Sequence, residues 1–173
     1  MKQVILFVTG VLLAALWIGT ACADNRFVFS DKTVKDKRTG LIWTRDANLG
    51  KRDWKGAFEL VKELNSKKYA GFKDWRLPSK DEVKSLGDYA RGLGYDSSTD
   101  TRRPYQLFNQ MGFYEVQAGG YWSGTENDND NAWNVNMNNG NVNNNNKDND
   151  NYVWPVRSGE WAPSPACSFP VMH

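Results

Sequence analysis

The spacing of apolar and polar positions divides the chain into a helical middle and a β-rich last third. After Asp53, the residues Trp54, Ala57, Phe58, Val61 and Leu64 recur three and four apart. That spacing lays one apolar stripe along a helix capped by Asp53 and ending near Asn65-Ser66. Ser79-Lys80-Asp81-Glu82 then has capping-box spacing ahead of Val83 and Leu86, which predicts a second, shorter helix. Upstream, Phe27 to Ile42 is broken at Asp31-Lys32 and Thr39-Gly40 and reads as one or two strands with tight turns. Gly87 to Phe113 holds several Gly and one Pro without a sustained period. It reads as loops with a helical turn around Tyr105 to Met111.

The last third changes period. Gly120 to Thr125 is β in character, and Trp133, Val135 and Met137 then alternate with Asn134, Asn136 and Asn138, as in a half-buried strand. Asn139-Gly140 predicts a two-residue type I′ hairpin, because both residue types tolerate positive φ, with a return strand through Val142. A final strand is expected from Tyr152 to Arg157, at an edge or bulged at Pro155, which has no N–H to donate. Asn fills more than half of positions 131 to 151. The regular apolar positions argue for a folded segment whose amides coat the solvent side, although the alternation lapses from Asn143 to Asn151.

Composition limits the class. With 173 residues, 40% hydrophobic and 13% aromatic, the chain can build one core and lacks the aromatic depletion of disordered proteins. Met1 to Ala23 reads as a secretory signal, with Lys2, an apolar run from Val4 to Ile18 and an Ala21-Cys22-Ala23 exit. Cleavage before Asp24 would leave a domain over 24–158 and a Pro-containing tail over 159–173, in a secreted or periplasmic protein. Cys22 also loosely resembles a lipoprotein box with Gly19 where Leu is usual, which would attach the chain to the envelope. An uncleaved anchor fits less well, the apolar run being shorter than the ~20 residues that span a bilayer. Cys167 would remain the only thiol, so no intramolecular disulfide is expected.

Net charge is +2, but residues 24–80 hold 15 Lys/Arg against 8 Asp/Glu and residues 81–173 hold 6 against 12. The basic half, with Lys32, Lys35, Lys37, Arg38, Lys51 and Arg52, is a candidate face for a polyanion. Catalytic residues are scarce. The single His is His173, the last residue, and general acid–base or nucleophilic chemistry needs positioned groups. Asp128-Asn129-Asp130 and Asp148-Asn149-Asp150 offer oxygen donors for calcium. The calcium-loop pattern fails, however, at Ala132 and Trp133 in the first and at Tyr152 and Val153 in the second. No enzyme, metal, cofactor or nucleic-acid partner is expected.

Several pieces carry a family resemblance: Asp31 to Trp43 (DKTVKDKRTGLIW), Gly71 to Ser79 (GFKDWRLPS), Tyr121 to Thr125 (YWSGT), Ala132 to Val142 (AWNVNMNNGNV) and Val156-Arg157. In order and spacing they resemble the Lcl C-terminal domain family from Arg26 to about Ser158. The resemblance implies an α+β domain with a C-type-lectin-like fold, two helices packed with twisted antiparallel sheets. It also implies an envelope or secreted setting, in which some members act as adhesins for sulfated polysaccharides. The Asn-rich block is similar to the variable region of ligand-binding proteins diversified by retroelements. Many members have a Cys just before the final Val-Arg, paired to an earlier Cys; here Pro155 stands in that place.

The expected function is a non-catalytic module that binds a protein or glycan outside the cytoplasm. Its candidate contacts are Asn127, Asn129, Asn131, Asn134, Asn136, Asn138, Asn141, Asn143, Asn144, Asn145, Asn146, Asn149 and Asn151, because amides both donate and accept hydrogen bonds without charge. Trp154 is added as an exposed aromatic contact, whereas Trp75, Trp122 and Trp133 are assigned to the core. The alternatives are a sulfated-polysaccharide adhesin using the basic half and an enzyme related to formylglycine-generating enzymes. The oligomeric state is left open.

Overall fold

The computed structural model describes residues 26–99 and 101–159. The signal segment, Cys22, Cys167 and the tail from residue 160 lie outside them. The described chain is α+β: three α-helices and two sheets, with strand orders β1-β2-β3-β9 and β4-β8-β5-β6-β7. The first sheet contains β1 (Phe27–Phe29), β2 (Thr33–Asp36), β3 (Leu41–Thr44) and β9 (Val156–Ser158), all antiparallel. The second contains β4 (Lys51–Arg52), β5 (Gly120–Glu126), β6 (Asn131–Asn136), β7 (Asn141–Asn146) and β8 (Asn151–Tyr152), with β5 and β8 parallel. No helix among the described residues is long and apolar enough to cross a membrane.

The helices form where their caps dictate. In α1 (Trp54–Ser66) the Asp53 side chain accepts from Gly56 N, and Ala57, Val61 and Leu64 are buried. Both reciprocal bonds of the Ser79/Glu82 capping box open α2 (Lys80–Gly92), satisfying N–H groups that the first turn leaves without partners. This helix is as long as α1 rather than shorter, because Gly87 and Ala90 continue its buried face past Leu86. The expected turn near Tyr105 is a complete helix, α3 (Pro104–Met111), with Pro at its start and Gly112 at φ 110° at its end. Pro there gives up no helical bond, and Gly accepts the left-handed conformation without strain.

Two apolar clusters form, and alternate residues of β5 and β6 belong to each. Tyr121, Val135 and Met137 join a cluster with Trp43, Leu86, Phe108, Phe113 and Trp154; Trp122 and Ala132 join one with Ala57, Val61, Trp75 and Val153. The five-stranded sheet is therefore covered on both faces along its middle, unlike the one-sided antiparallel sheet that simple alternation implies. The final strand is not one strand. It divides into β8 and β9 across Val153 to Pro155, so that the chain leaves one sheet and enters the other. Pro155 joins this crossing through its carbonyl, which accepts Thr44 N at 3.1 Å.

The GF-x-DWRLP stretch ties these layers together. The Asn65 amide pairs with both backbone groups of Trp75 at 2.8 Å. Arg76 grips Glu82 with two bonds of 2.7 Å, while its backbone exchanges hydrogen bonds with Val156 at 2.9 Å. Asp74 holds Arg157 at 2.7 and 3.0 Å. The motif is thus a brace between α1, α2 and β9.

α2 and the β6–β7 turn meet at Gly87 and Gly140. A Cβ on Gly87 would stand 2.6 Å from the Gly140 carbonyl oxygen, closer than packed atoms allow. Gly87→Ala is expected to lower stability by about 1–3 kcal/mol through this overpacking, measured by chemical denaturation, even though Ala favours the helix over Gly.

Candidate functional site: the asparagine-rich hairpin

The β6–β7 ladder runs without interruption from Asn131↔Asn146 to Asn136↔Asn141. Residues directly opposite one another share a face, and neighbours along a strand do not. One face accordingly carries Ala132, Asn134, Asn136, Asn141, Asn143 and Asn145; the other carries Asn131, Trp133, Val135, Val142, Asn144 and Asn146. The run Asn143 to Asn146 is therefore divided between two faces rather than presented to one partner.

The turn also departs from expectation. It spans four residues, Met137 to Gly140, and of these only Gly140 has positive φ, at 75°. Met137 explains the difference: it is fully buried, its N–H donates to Gly119 O at 2.8 Å and its carbonyl accepts Tyr105 N at 2.9 Å. With Met137 fixed in the core, the strands close at Asn136 and Asn141. The loop is then finished by side chains: Asn136 Oδ1 accepts Asn138 N at 2.8 Å and Asn139 Oδ1 accepts Asn141 N at 2.9 Å, both Asx turns. Arg91 of α2 donates to the Gly140 carbonyl and, at 3.2 Å, to Asn141 Oδ1.

At the opposite end of the hairpin, loops 127–130 and 147–150 are held together by Lys147. Its Nζ donates to Glu126 Oε2 at 3.0 Å and to the carbonyls of Asp128 and Asn129 at 3.0 and 2.9 Å, and lies 4.8 Å from the Trp54 ring centroid. Sequence reasoning missed this residue, although it is the only cation between Arg103 and Arg157. The Asp128 carboxylate accepts the Asn131 amide as well as the backbone N–H of Asp130 and Asn131. These bonds, the Asn131 side chain first, hold its carboxyl below the usual range. Among the described residues no group of three His, Cys, Asp or Glu forms a metal cluster.

The candidate contacts thus separate. Asn127, Asn129, Asn141, Asn143, Asn144, Asn146 and Asn149 are exposed, while Asn131, Asn136, Asn138 and Asn145 are half-buried. Asn145 and Asn146 shape the next turn: Asn145 Oδ1 accepts Asn149 Nδ2 at 2.8 Å and Asn146 Oδ1 accepts Asp148 N at 2.9 Å. Asn143 and Asn144 make no side-chain hydrogen bond to any described residue.

Three expected contacts are buried rather than exposed. Asn134 and Asn151 are 4% and 6% exposed; both side chains lie against Gly120, which has no Cβ to hold them off. Asn151 Nδ2 finds no hydrogen-bond partner among the described residues. Trp154 is fully buried, its Nε1 donating to Thr44 O at 2.9 Å. Trp75 and Trp122 are core residues as expected, but Trp133 is only half-buried, with Lys80 Nζ 3.8 Å from its ring centroid.

The basic residues are divided between the two sheets. Lys32, Lys35, Lys37 and Arg38 lie on β2 and its turns, whereas Lys51 and Arg52 form β4 in the other sheet. Lys51 rests 4.9 Å from the Tyr152 ring centroid. A cavity of about 410 Å³ lies beside Arg26, Arg38, Ser85, Asp88 and Tyr89.

No curated protein gives a significant match to the chain. The family model of the Lcl C-terminal domain matches residues 32–157, a span that contains both sheets except β1 and the last residue of β9, and the whole Asn-rich hairpin. The chain belongs to the Lcl C-terminal domain family.

Proposed function

We propose that the protein is a non-catalytic binding module acting outside the cytoplasm, in a secreted, periplasmic or envelope-attached form. Its ligands are proteins or glycans met by exposed amides, Asn141 and Asn143 on one face of the hairpin, Asn144 and Asn146 on the other, and Asn127, Asn129 and Asn149 in its end loops. The C-type-lectin-like assignment of the fold is part of this proposal. The observation that carries it is the contrast within one hairpin. Asn136, Asn139, Asn145 and Asn146 close turns, while Asn143 and Asn144 stand exposed on a fully paired strand without internal side-chain bonds. Amides held on a fixed backbone lose little freedom when they bind hydroxyls or peptide groups.

The test is a glycan array and a capture screen with extracellular proteins, followed by the double substitution Asn143→Ala and Asn144→Ala. Binding is expected to fall about tenfold or more while stability changes by less than about 0.5 kcal/mol, as for exposed positions without structural bonds. Raising salt should change the affinity little. A ligand that leaves at moderate ionic strength, ignores these substitutions and is lost on Lys37→Ala with Arg38→Ala would instead favour the polyanion reading.

A further inference from the structure

The two edges of the five-stranded sheet differ in character. β4 is two residues long and consists of exposed Lys51 and Arg52. β7 is six residues long, reads NVNNNN, and pairs with β6 without a register shift. Short length, charge, Pro and bulges are the devices that keep an edge from pairing with another chain; β4 has two of them and β7 has none.

The register identifies the backbone groups at this edge. Lys147 N donates to Asp130 O at 2.8 Å, one step beyond the ladder. Hydrogen-bonded pairs of an antiparallel ladder recur at every second residue. Asn145, Asn143 and Asn141 therefore direct their backbone groups to β6, and Asn146, Asn144 and Val142 direct theirs outward. Those of Asn146 have local partners, since its N–H donates to Asn145 Oδ1 and its carbonyl accepts Asn149 N, each at 3.0 Å. What remains is the N–H and C=O groups of Val142 and Asn144, on either side of Asn143.

We propose that β7 pairs with β7 of a second copy of this chain, antiparallel about a two-fold axis through Asn143. In this register Val142 hydrogen-bonds the partner's Asn144, Asn144 bonds the partner's Val142, and each outward backbone group finds a partner. Asn143 faces the partner's Asn143 and Asn141 faces the partner's Asn145. An amide is its own complement because it donates and accepts, and a strand without charge meets its copy without repulsion, as a two-fold contact requires. The segment from residue 160 onward fits this edge less well. It follows Gly159 at the far sheet and contains Pro163, Pro165 and Pro170, each lacking a ladder N–H. Side chains stand off the sheet plane, so pairing leaves the amide faces open and sets two hairpins side by side; it does not depend on what those amides bind.

The test is independent of any ligand. Light scattering and sedimentation of the full chain are expected to give twice the monomer mass, dissociating on dilution. Asn143→Lys sets like charges face to face on the axis and is expected to weaken association about tenfold or more. Asn144→Pro removes an edge N–H that the monomer does not use, so it should abolish pairing and keep the monomer's circular dichroism. In a background of Cys22→Ser and Cys167→Ser, Asn143→Cys should form a covalent dimer on mild oxidation. Residues opposed in a non-hydrogen-bonded pair have Cα atoms about 4.5 Å apart, within disulfide reach, and Asn144→Cys should not cross-link. A wild-type monomer at millimolar concentration would overturn the proposal. So would a dimer that tolerates Asn143→Lys, or cross-linking at 144 equal to that at 143. If Asn144→Pro fails to fold, Asn143→Lys and the cysteine pair still decide.

Discussion

Trp154→Ala is expected to destabilise the domain by about 3–5 kcal/mol, the range for removing a large aromatic from a closed core. The ring has no exposed surface, and Trp43, Phe108, Phe113 and Tyr121 surround it at centroid distances of 5.5, 6.0, 5.2 and 5.4 Å. These neighbours come from β3, α3, the segment after α3 and β5, so the cavity would lie where both sheets meet. Tyr121 is likewise without exposed surface, and burial holds its hydroxyl well above its ordinary pKa while it accepts Gln117 N at 2.8 Å. Trp154→Phe should cost less, about 1–3 kcal/mol, because packing is partly kept while the indole bond to Thr44 O is lost. Urea denaturation followed by circular dichroism measures both. A loss under about 1 kcal/mol for the alanine variant would mean that the ring is not enclosed as described.

The second large effect is expected at Arg26 and Asp36. Their side chains are 2% and 0% exposed, joined by bonds of 2.9 and 2.6 Å, with the guanidinium carbon 4.6 Å from the Tyr89 ring centroid. Removing one partner strands the other charge in a buried site, so Asp36→Ala should cost about 3–5 kcal/mol. Replacing both, Arg26→Met with Asp36→Leu, should recover most of that loss, because the pair's attraction only offsets its own desolvation. A double-mutant cycle with Arg26→Met and Asp36→Leu as its single variants measures the coupling. If the double variant is as unstable as the sum of the single ones, the pair is not coupled.

Much of the scaffold was legible because its signals are local. Asp53, Ser79 and Glu82 announce helix starts by hydrogen bonds made within three residues, and Val135 and Met137 reveal the inner side of β6 by alternation. What escaped was set by contacts distant in sequence. Asn134 and Asn151 are buried where their side chains meet over Gly120, a contact between strands that alternation along one strand does not reveal. Trp154 lies in a crossing between sheets, where Val153, Trp154, Pro155 and Val156 are all buried and no period survives. The alternation lapses after Val142 because β7 is an edge, where Asn143 and Asn144 meet no core on either side. The surface composition of the candidate site could be read from the chain, but its division between two faces required the register.

β1 and β9 form the two borders of the four-stranded sheet, whereas β7 borders the five-stranded one. The described chain therefore begins and ends at the borders of the sheet that does not carry the hairpin. For immobilisation on a sensor chip, a linkage made at the described ends would therefore leave from the sheet that does not carry the amides.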